Sequence, residues 1–363
     1  MRYLDAFREP SLARALVEKI RALGNGRPPV RVMEVCGTHT MAIARNGIRA
    51  LLGNSVILIS GPGCPVCVTP DGYIDTAIAL GRRPEVVLAT FGDMVKVPGT
   101  SSSLEKERGN GVDVRVVYSP LDAVDLAARN PEREIVFLGV GFETTAPAIA
   151  GAIEAAVRRA LANFSVLASV RTIPEAMDAL AADPAVRIEG FLCPAHVSAI
   201  IGADAYRPLV EKRGIPCVVA GFEPLDILCG ISMLLLQKRE GAARVENEYS
   251  RVATPGGNRK ALALIGRVFG KCDTSWRGIG VLPGTGLAIA EAYAAFDAER
   301  KFGIAVVDSS RETPCRCGDV LKGIITPREC PLFGKTCTPE DPIGPCMVST
   351  EGTCAAYFKY GVQ

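Results

Sequence analysis

A chain of 363 residues, 48% of them hydrophobic, is long enough to bury more than one core. Its 41 basic and 39 acidic residues are spread evenly and leave a formal charge of +2, so no basic stretch exists to track phosphates, and nucleic acid is not the expected partner. The charged start, Met1 to Arg8, lacks the apolar core of a signal peptide and no apolar run reaches the roughly 18 residues of a membrane span, which makes the cytoplasm the expected location, with no membrane partner.

From about residue 30, short β-branched runs alternate with Ala-rich helical stretches, the pattern of parallel α/β layers. Strands are predicted over 30–35, 56–60, 86–91, 114–118, 135–140, 166–170, 188–193 and 216–220. Several end in polar turns marked by Gly or Pro: Cys36-Gly37-Thr38-His39-Thr40, Gly61-Pro62-Gly63-Cys64-Pro65-Val66-Cys67, Gly141-Phe142-Glu143-Thr144-Thr145, Cys193-Pro194-Ala195-His196 and Gly221-Phe222-Glu223-Pro224. Open α/β sheets bind ligands beyond the carboxyl ends of their strands, so the chemistry is expected in these turns. Gly-Phe-Glu recurs at 141–143 and 221–223 and suggests two related parallel-sheet domains, 28–128 and 129–240. Beyond 240 no strand is predicted. Helices are predicted over 261–269 and 287–296, Leu282-Pro283-Gly284-Thr285-Gly286 reads as a plain turn, and from Ser309 the chain is a Cys-, Pro- and Gly-rich coil. Residues 1–27 and 241–363 are therefore assigned to a third, mainly helical and coil domain, whose tail is too poor in apolar surface to order itself without a staple.

Thirteen cysteines in a reducing compartment point to metal or redox chemistry rather than structural disulfides. Cys193, Cys217, Cys229 and Cys272 stand alone in apolar surroundings and read as core residues. Six crowd the tail: Cys315, Cys317, Cys330, Cys337, Cys346 and Cys354. They show no C-x2-C knuckle of the zinc type, whereas an iron–sulfur cluster takes four thiolates at uneven spacing and would leave two for a dithiol. Cys64-Pro65-Val66-Cys67 lies between a strand and a helix expected to start near Asp71, where a C-x-x-C pair can be redox-active, metal-binding or inert. Cys36 and His39 pair a thiolate with an imidazole, both good ligands for ferrous iron. A lone His is more often structural, but the chain has only His39 and His196, each in a strand-end turn three residues after a cysteine. Gly139-Val140-Gly141-Phe142-Glu143-Thr144-Thr145 resembles a phosphate loop loosely but lacks its Gly-Lys-Ser/Thr ending, and reads better as a strand-to-helix turn capped by Thr144 or Thr145.

Taken together, Met33-Glu34-Val35-Cys36-Gly37-Thr38-His39-Thr40, the Gly61 to Cys67 turn, Gly141 to Pro147, and Glu329-Cys330-Pro331-Leu332-Phe333-Gly334-Lys335-Thr336-Cys337 resemble the HypD family of hydrogenase maturation proteins over nearly the whole chain. The resemblance implies a scaffold with redox activity rather than a conventional turnover enzyme. On such a scaffold, in a tight complex with the chaperone HypC, the Fe(CN)2(CO) unit of [NiFe]-hydrogenase is assembled, with cyanide delivered through HypE and the unit passed on to the hydrogenase large subunit. Carried onto this chain, it implies iron at Cys36 and His39, a [4Fe-4S] cluster on Cys315, Cys330, Cys337 and Cys354, and a redox disulfide between Cys317 and Cys346. From these, reducing equivalents would reach Cys64 and Cys67 and then the iron. The chain departs from the family at Met41, where some members carry a second His, and at Ala195, where Gly is common. The alternative is a freestanding [4Fe-4S]-dependent thiol-disulfide oxidoreductase, which accounts for the tail and the C-x-x-C but leaves Cys36 and His39 idle.

Overall fold

Every predicted strand up to residue 220 forms, because β-branched runs flanked by Ala-rich helices bury both faces of a parallel sheet. The computed structural model describes residues 7–306 and 314–361, so the expected start of the coil at Ser309 and the first six residues of the N-terminal segment lie outside the described residues. In chain order the strands are β1 Val30–Glu34, β2 Val56–Ser60, β3 Val86–Thr90, β4 Val114–Val116, β5 Glu134–Gly141, β6 Phe164–Arg171, β7 Gly190–Pro194, β8 Cys217–Ala220, β9 Val245–Asn247, β10 Phe269–Trp276 and β11 Gly280–Ile289. The architecture is α/β with two sheets dominated by parallel pairing, ordered β2-β1-β7-β8-β9 and β10-β11-β6-β5-β3-β4. In the second sheet only β11 and β10 run antiparallel to their neighbours.

Sheet membership does not follow chain order, so the expected division at 128/129 does not coincide with the sheets. β1 and β2 start the first sheet, β3 to β6 build the second, β7 to β9 return to the first, and β10 and β11 complete the second. Three strands beyond residue 240 also correct the sequence reading. Phe269–Trp276 is half polar and carries no β-branched apolar run, so its signal is weak. Pairing makes it a strand, with Phe269 opposite Ile289 and Trp276 opposite Gly280. The supposed turn 282–286 lies inside β11, and of the supposed helix 287–296 the first residues end β11, while only Glu291–Phe296 winds, as a 3-10 turn.

Four groups of buried side chains hold these layers. One face of the second sheet, Val87, Phe137 and Val166 among it, packs on the helices Pro120–Arg129 and Ala146–Arg158. The other packs on Asp71–Gly81 through Tyr73, Ile74 and Ala77. The helix Pro10–Gly24 sets Val17 and Ile20 against Ile227, Ile231 and Leu234 of Pro224–Glu240 over the first sheet, so it belongs to that sheet's core rather than to a third domain. Burying each of these aliphatic side chains is worth about 1.5–3 kcal/mol. The remaining group joins both units: Met33, Phe191 and Val219 of the first sheet meet Met177, Trp276, Cys64, Cys67, Leu321 and Cys346.

The tail after residue 314 winds into short helices, Cys317–Leu321, Pro345–Val348 and Thr353–Tyr360, and lies across the carboxyl ends of the strands. Besides Leu321 and Cys346 in the shared core, its anchors are polar. Thr38 Oγ1 donates to Glu351 Oε1 at 2.7 Å, Thr350 Oγ1 to Asp93 Oδ2 at 3.1 Å, and the Arg49 guanidinium sits 5.5 Å over the Tyr357 ring. Arg49 also holds the buried carboxylate of Glu34 at the end of β1: Glu34 Oε1 accepts from Arg49 Nη2 and from Ser60 Oγ, each at 2.7 Å. Among the described residues, no helix is long and apolar enough to cross a membrane.

Candidate functional site

Cys36 is the second residue past β1, with an extended backbone, and caps the helix Gly37–Arg45, which puts His39 one turn on and on the same side. Burial, then the neighbouring Glu351, push the Cys36 thiol up to about 11, while the N–H groups of His39 and Thr38 pull it down. It is therefore a neutral thiol that a bound cation would deprotonate.

His39 is fully buried. Its Nε2 lies 3.1 Å from Ala220 O and 2.8 Å from Gly221 O. Both partners only accept, so Nε2 carries the proton and Nδ1 bears the lone pair. Burial brings its pKa down to about 4, so the ring is neutral near pH 7, and Nδ1 has no hydrogen-bond partner. An unpartnered nitrogen in a buried site is costly unless something binds it. Phe222 holds the ring at 4.8 Å between centroids, and His196 packs on the same Phe222 at 4.1 Å. Both histidines, each predicted in a strand-end turn, thus pack on one phenylalanine, and only His39 shares a turn of helix with Cys36.

The C-x-x-C loop is brought to Cys36 by Gly63. Its carbonyl accepts from Gly37 N at 3.1 Å, and a Cβ on Gly63 would run into the backbone of Val35 and Cys36. Gly63→Ala is expected to push the loop off Cys36 and to lower the melting temperature by several degrees, read by thermal denaturation; an unchanged transition would show that the close approach is not required. Cys64 and Cys67 form a disulfide, buried, with Cα atoms 5.3 Å apart. The following helix begins at Asp71, four residues beyond Cys67, so its dipole reaches the sulfurs less than the spacing suggested, since that effect fades within a turn. Arg277 ties the loop down, donating from its N–H to Val68 O at 2.9 Å and pairing with Asp71.

Of the tail, Ser349 reaches the C-x-x-C, its Oγ 3.3 Å from Cys64 Sγ, and Cys346 is buried in the same group as Cys64 and Cys67. The disulfide expected between Cys317 and Cys346 is not formed; both are free thiols, and Cys317 instead contacts Cys315. Burial and the neighbouring thiols of Cys315, Cys337 and Cys330 push the Cys354 thiol up, and Cys337 likewise feels Cys315 and Cys330. Cys354 and Cys337 thus both feel the charges of Cys315 and Cys330. Yet among the described residues no three ligating side chains converge closely enough to hold a single ion. A cluster takes thiolates at separate corners, and cysteine thiolates are the donors it accepts. Cys346 lies within the same charge neighbourhood, so charge alone does not single out four of the six.

The turn Gly139 to Thr145 joins β5 to the helix Ala146–Arg158. Its Glu143 is buried with its carboxyl raised to about 8 by burial, and Oε1 accepts from Ile173 N at 2.8 Å. Thr145 precedes the helix Ala146–Arg158 without a side-chain cap, contrary to the sequence reading. Glu351, Ser349 and Arg277 escaped the sequence reading altogether, and Phe222 entered it only as part of the 221–224 turn, because a polar or aromatic residue in a loop carries no spacing signal until the fold sets it against the thiols. Beside the Gly37–Arg45 helix a pocket of about 510 Å³ opens, lined by Thr38, Met41, Arg45, Phe222, Glu223 and Glu351.

Over residues 11–361 the chain matches the family model HypD, described as the hydrogenase formation hypA family. It is 49% identical over 370 residues to hydrogenase maturation factor HypD of Azotobacter vinelandii, covering 100% of this chain and 98% of that protein. It is 47% identical to the protein of the same name from Rhodobacter capsulatus, covering 99% and 98%, and 44% identical to that of Escherichia coli (strain K12), covering 100% and 99%.

Proposed function

This chain belongs to the HypD family of hydrogenase maturation factors, and from that premise we propose that it is the cytoplasmic scaffold, paired with HypC, on which the Fe(CN)2(CO) unit is built. The observation that carries this reading is the neutral His39, pinned through Nε2 with Nδ1 left unpartnered, one turn from the buried thiol of Cys36. Iron, the cargo, binds the Cys36 sulfur and His39 Nδ1. Its charge releases the thiol proton, and HypC and the diatomic ligands complete its coordination. HypE supplies the cyanide, and the finished unit moves to the hydrogenase large subunit.

Cys315, Cys330, Cys337 and Cys354 would hold a [4Fe-4S] cluster, which when bound supplies single electrons. Cys317 and Cys346, free thiols here, exchange with the Cys64–Cys67 disulfide: two thiols close to a disulfide, the other disulfide opens to two thiols, and two electrons and two protons pass to the loop beside Cys36. Exchange needs the sulfurs near one another, and the burial of Cys346 with Cys64 and Cys67 supports it. Strong-field ligands favour low-spin ferrous iron, which gives a local dithiol its purpose.

The test is an infrared spectrum of the anaerobically purified complex with HypC, with HypE and its cyanide supply present. Cyanide and CO stretches are expected. A cluster-loaded protein without them would favour the freestanding thiol oxidoreductase. Replacing Cys64 and Cys67 by Ala is expected to slow the appearance of the bands at least tenfold, followed by timed infrared sampling; an unaltered rate would remove the exchange step.

A further inference from the structure

Away from these turns, a trough of about 280 Å³ runs along β6 beneath the Asp71–Gly81 helix, with Pro70 and Tyr73 as its roof. The register explains the opening. Cys272, Gly286 and Arg171 are cross-strand neighbours on β10, β11 and β6. The middle one has no side chain, and a Cβ there would lie 2.7 Å from Cys272 Sγ.

One end of the trough is positive. Arg171 is 1% exposed. It donates from Nε and Nη2 to Ser275 O at 3.1 and 2.7 Å, and from Nη1 to Ser169 O at 3.2 Å and Ser169 Oγ at 2.9 Å. Its Cζ lies 5.7 Å from the Trp276 ring centroid. All of these partners are neutral, and among the described residues no carboxylate pairs with it. A buried guanidinium without a counter-ion is expensive, and an anionic group entering the trough would relieve that cost.

The other end is negative. Asp297 bridges to Val166, five residues back along β6 and so about 16 Å from Arg171 at about 3.3 Å per residue. Glu299 lines the same end. Asp297 accepts from Glu299 N at 3.0 Å and meets Arg300 only at 3.6 Å, while Glu299 accepts from Val306 N at 3.3 Å. The third acid of the lining, Asp273, is engaged by Gly284 N at 2.8 Å.

We propose that this trough binds a small zwitterion of the amino-acid class, its carboxylate on Arg171 and its ammonium toward Asp297 and Glu299. The separation of the two charged ends selects the length of the ligand.

Trp276, the chain's single tryptophan, reports on the site because it lies against Arg171. Its fluorescence is followed in the full-length protein during titration with glycine, 4-aminobutanoate and 6-aminohexanoate, with butanoate and butylammonium as single-charge controls at matched ionic strength. One amino acid is expected to saturate the signal at a concentration at least tenfold below either control. Arg171→Gln is expected to weaken that binding at least tenfold. Ala288→Phe, at an exposed position of the lining, removes no charge and fills the trough, and the same tenfold loss is expected even if the arginine variant does not fold. No saturable response, a response to butanoate or butylammonium equal to that of the best amino acid, or undiminished binding in Ala288→Phe would each overturn the proposal.

Discussion

Cys36→Ala is expected to abolish every cyanide and CO stretch from the complex with HypC and to lower its mononuclear iron content at least a hundredfold, with little change in fold. The size of the effect follows from the donor set. On the proposed reading Cys36 would be the chain's anionic ligand at the site, and a neutral imidazole alone does not hold ferrous iron against water. Structural cost is small because the side chain is short and truncation leaves only a small void. A stability loss of about 1 kcal/mol is expected, close to the centre of the range for point substitutions. His39→Ala separates ligand from scaffold less cleanly, since it removes a buried ring from Phe222 and strips the carbonyls of Ala220 and Gly221 of their donor. Iron analysis with infrared spectroscopy reads the first effect and chemical denaturation the second. Retention of the bands in Cys36→Ala would place the iron elsewhere.

Arg49→Ala is expected to be the most destabilising single change among those considered, by about 3–5 kcal/mol, because it leaves the carboxylate of Glu34 buried and unpaired. Glu34 is inaccessible and its second oxygen already lacks a partner, so Arg49 and Ser60 carry the whole task of solvating it. The loss also frees Leu58 O of its donor and removes the cation over Tyr357, loosening the tail helix from the first sheet. Burial raises the Glu34 carboxyl above its ordinary 4.5 and Arg49 lowers it. Without Arg49 the folded-state value rises further. The folded variant then holds a proton that the unfolded chain releases above about 4.5, so its stability falls as pH rises from there. The defect should accordingly be smaller at pH 5 than at pH 8. Replacing both partners, Glu34→Leu with Arg49→Met, should recover most of the loss. Urea denaturation at the two pH values checks all three statements, and a loss below about 1 kcal/mol at pH 8 would show that water reaches Glu34 after all.

Much of the site was legible because its residues sit in strand-end turns with strong local signatures. Cys36 with His39, and Cys64 with Cys67, could be placed from the apolar runs before them, and the structure brings both turns to one sheet edge through Gly63. What stayed hidden is long-range. Nothing local marks Phe222 as the plate beneath both histidines, or Glu351 as the acid raising the Cys36 thiol, since each acquires its role from an element far away in sequence. β10 was missed because a strand at a sheet edge can be half polar, and its β-propensity lies in its pairing more than in its composition. The interleaving of the sheets was equally invisible: periodicity locates strands and says nothing about which neighbour each will choose.

That interleaving governs how the protein is made. As the nascent chain leaves the ribosome, β1 and β2 emerge first, yet Val32 has no Gly190 and Met33 no Phe191 until most of the second sheet has been synthesised. β6 in turn waits for β11, whose Leu287 pairs with Val170 only after the first sheet has its last strand. Neither sheet can finish as an autonomous N-terminal unit, so truncated products should expose unpaired parallel edges and engage chaperones or aggregate. The cysteine-rich tail, synthesised after every strand, settles on a surface that both sheets must already have completed, and its thiols meet the strand-end turns only once both sheets have formed.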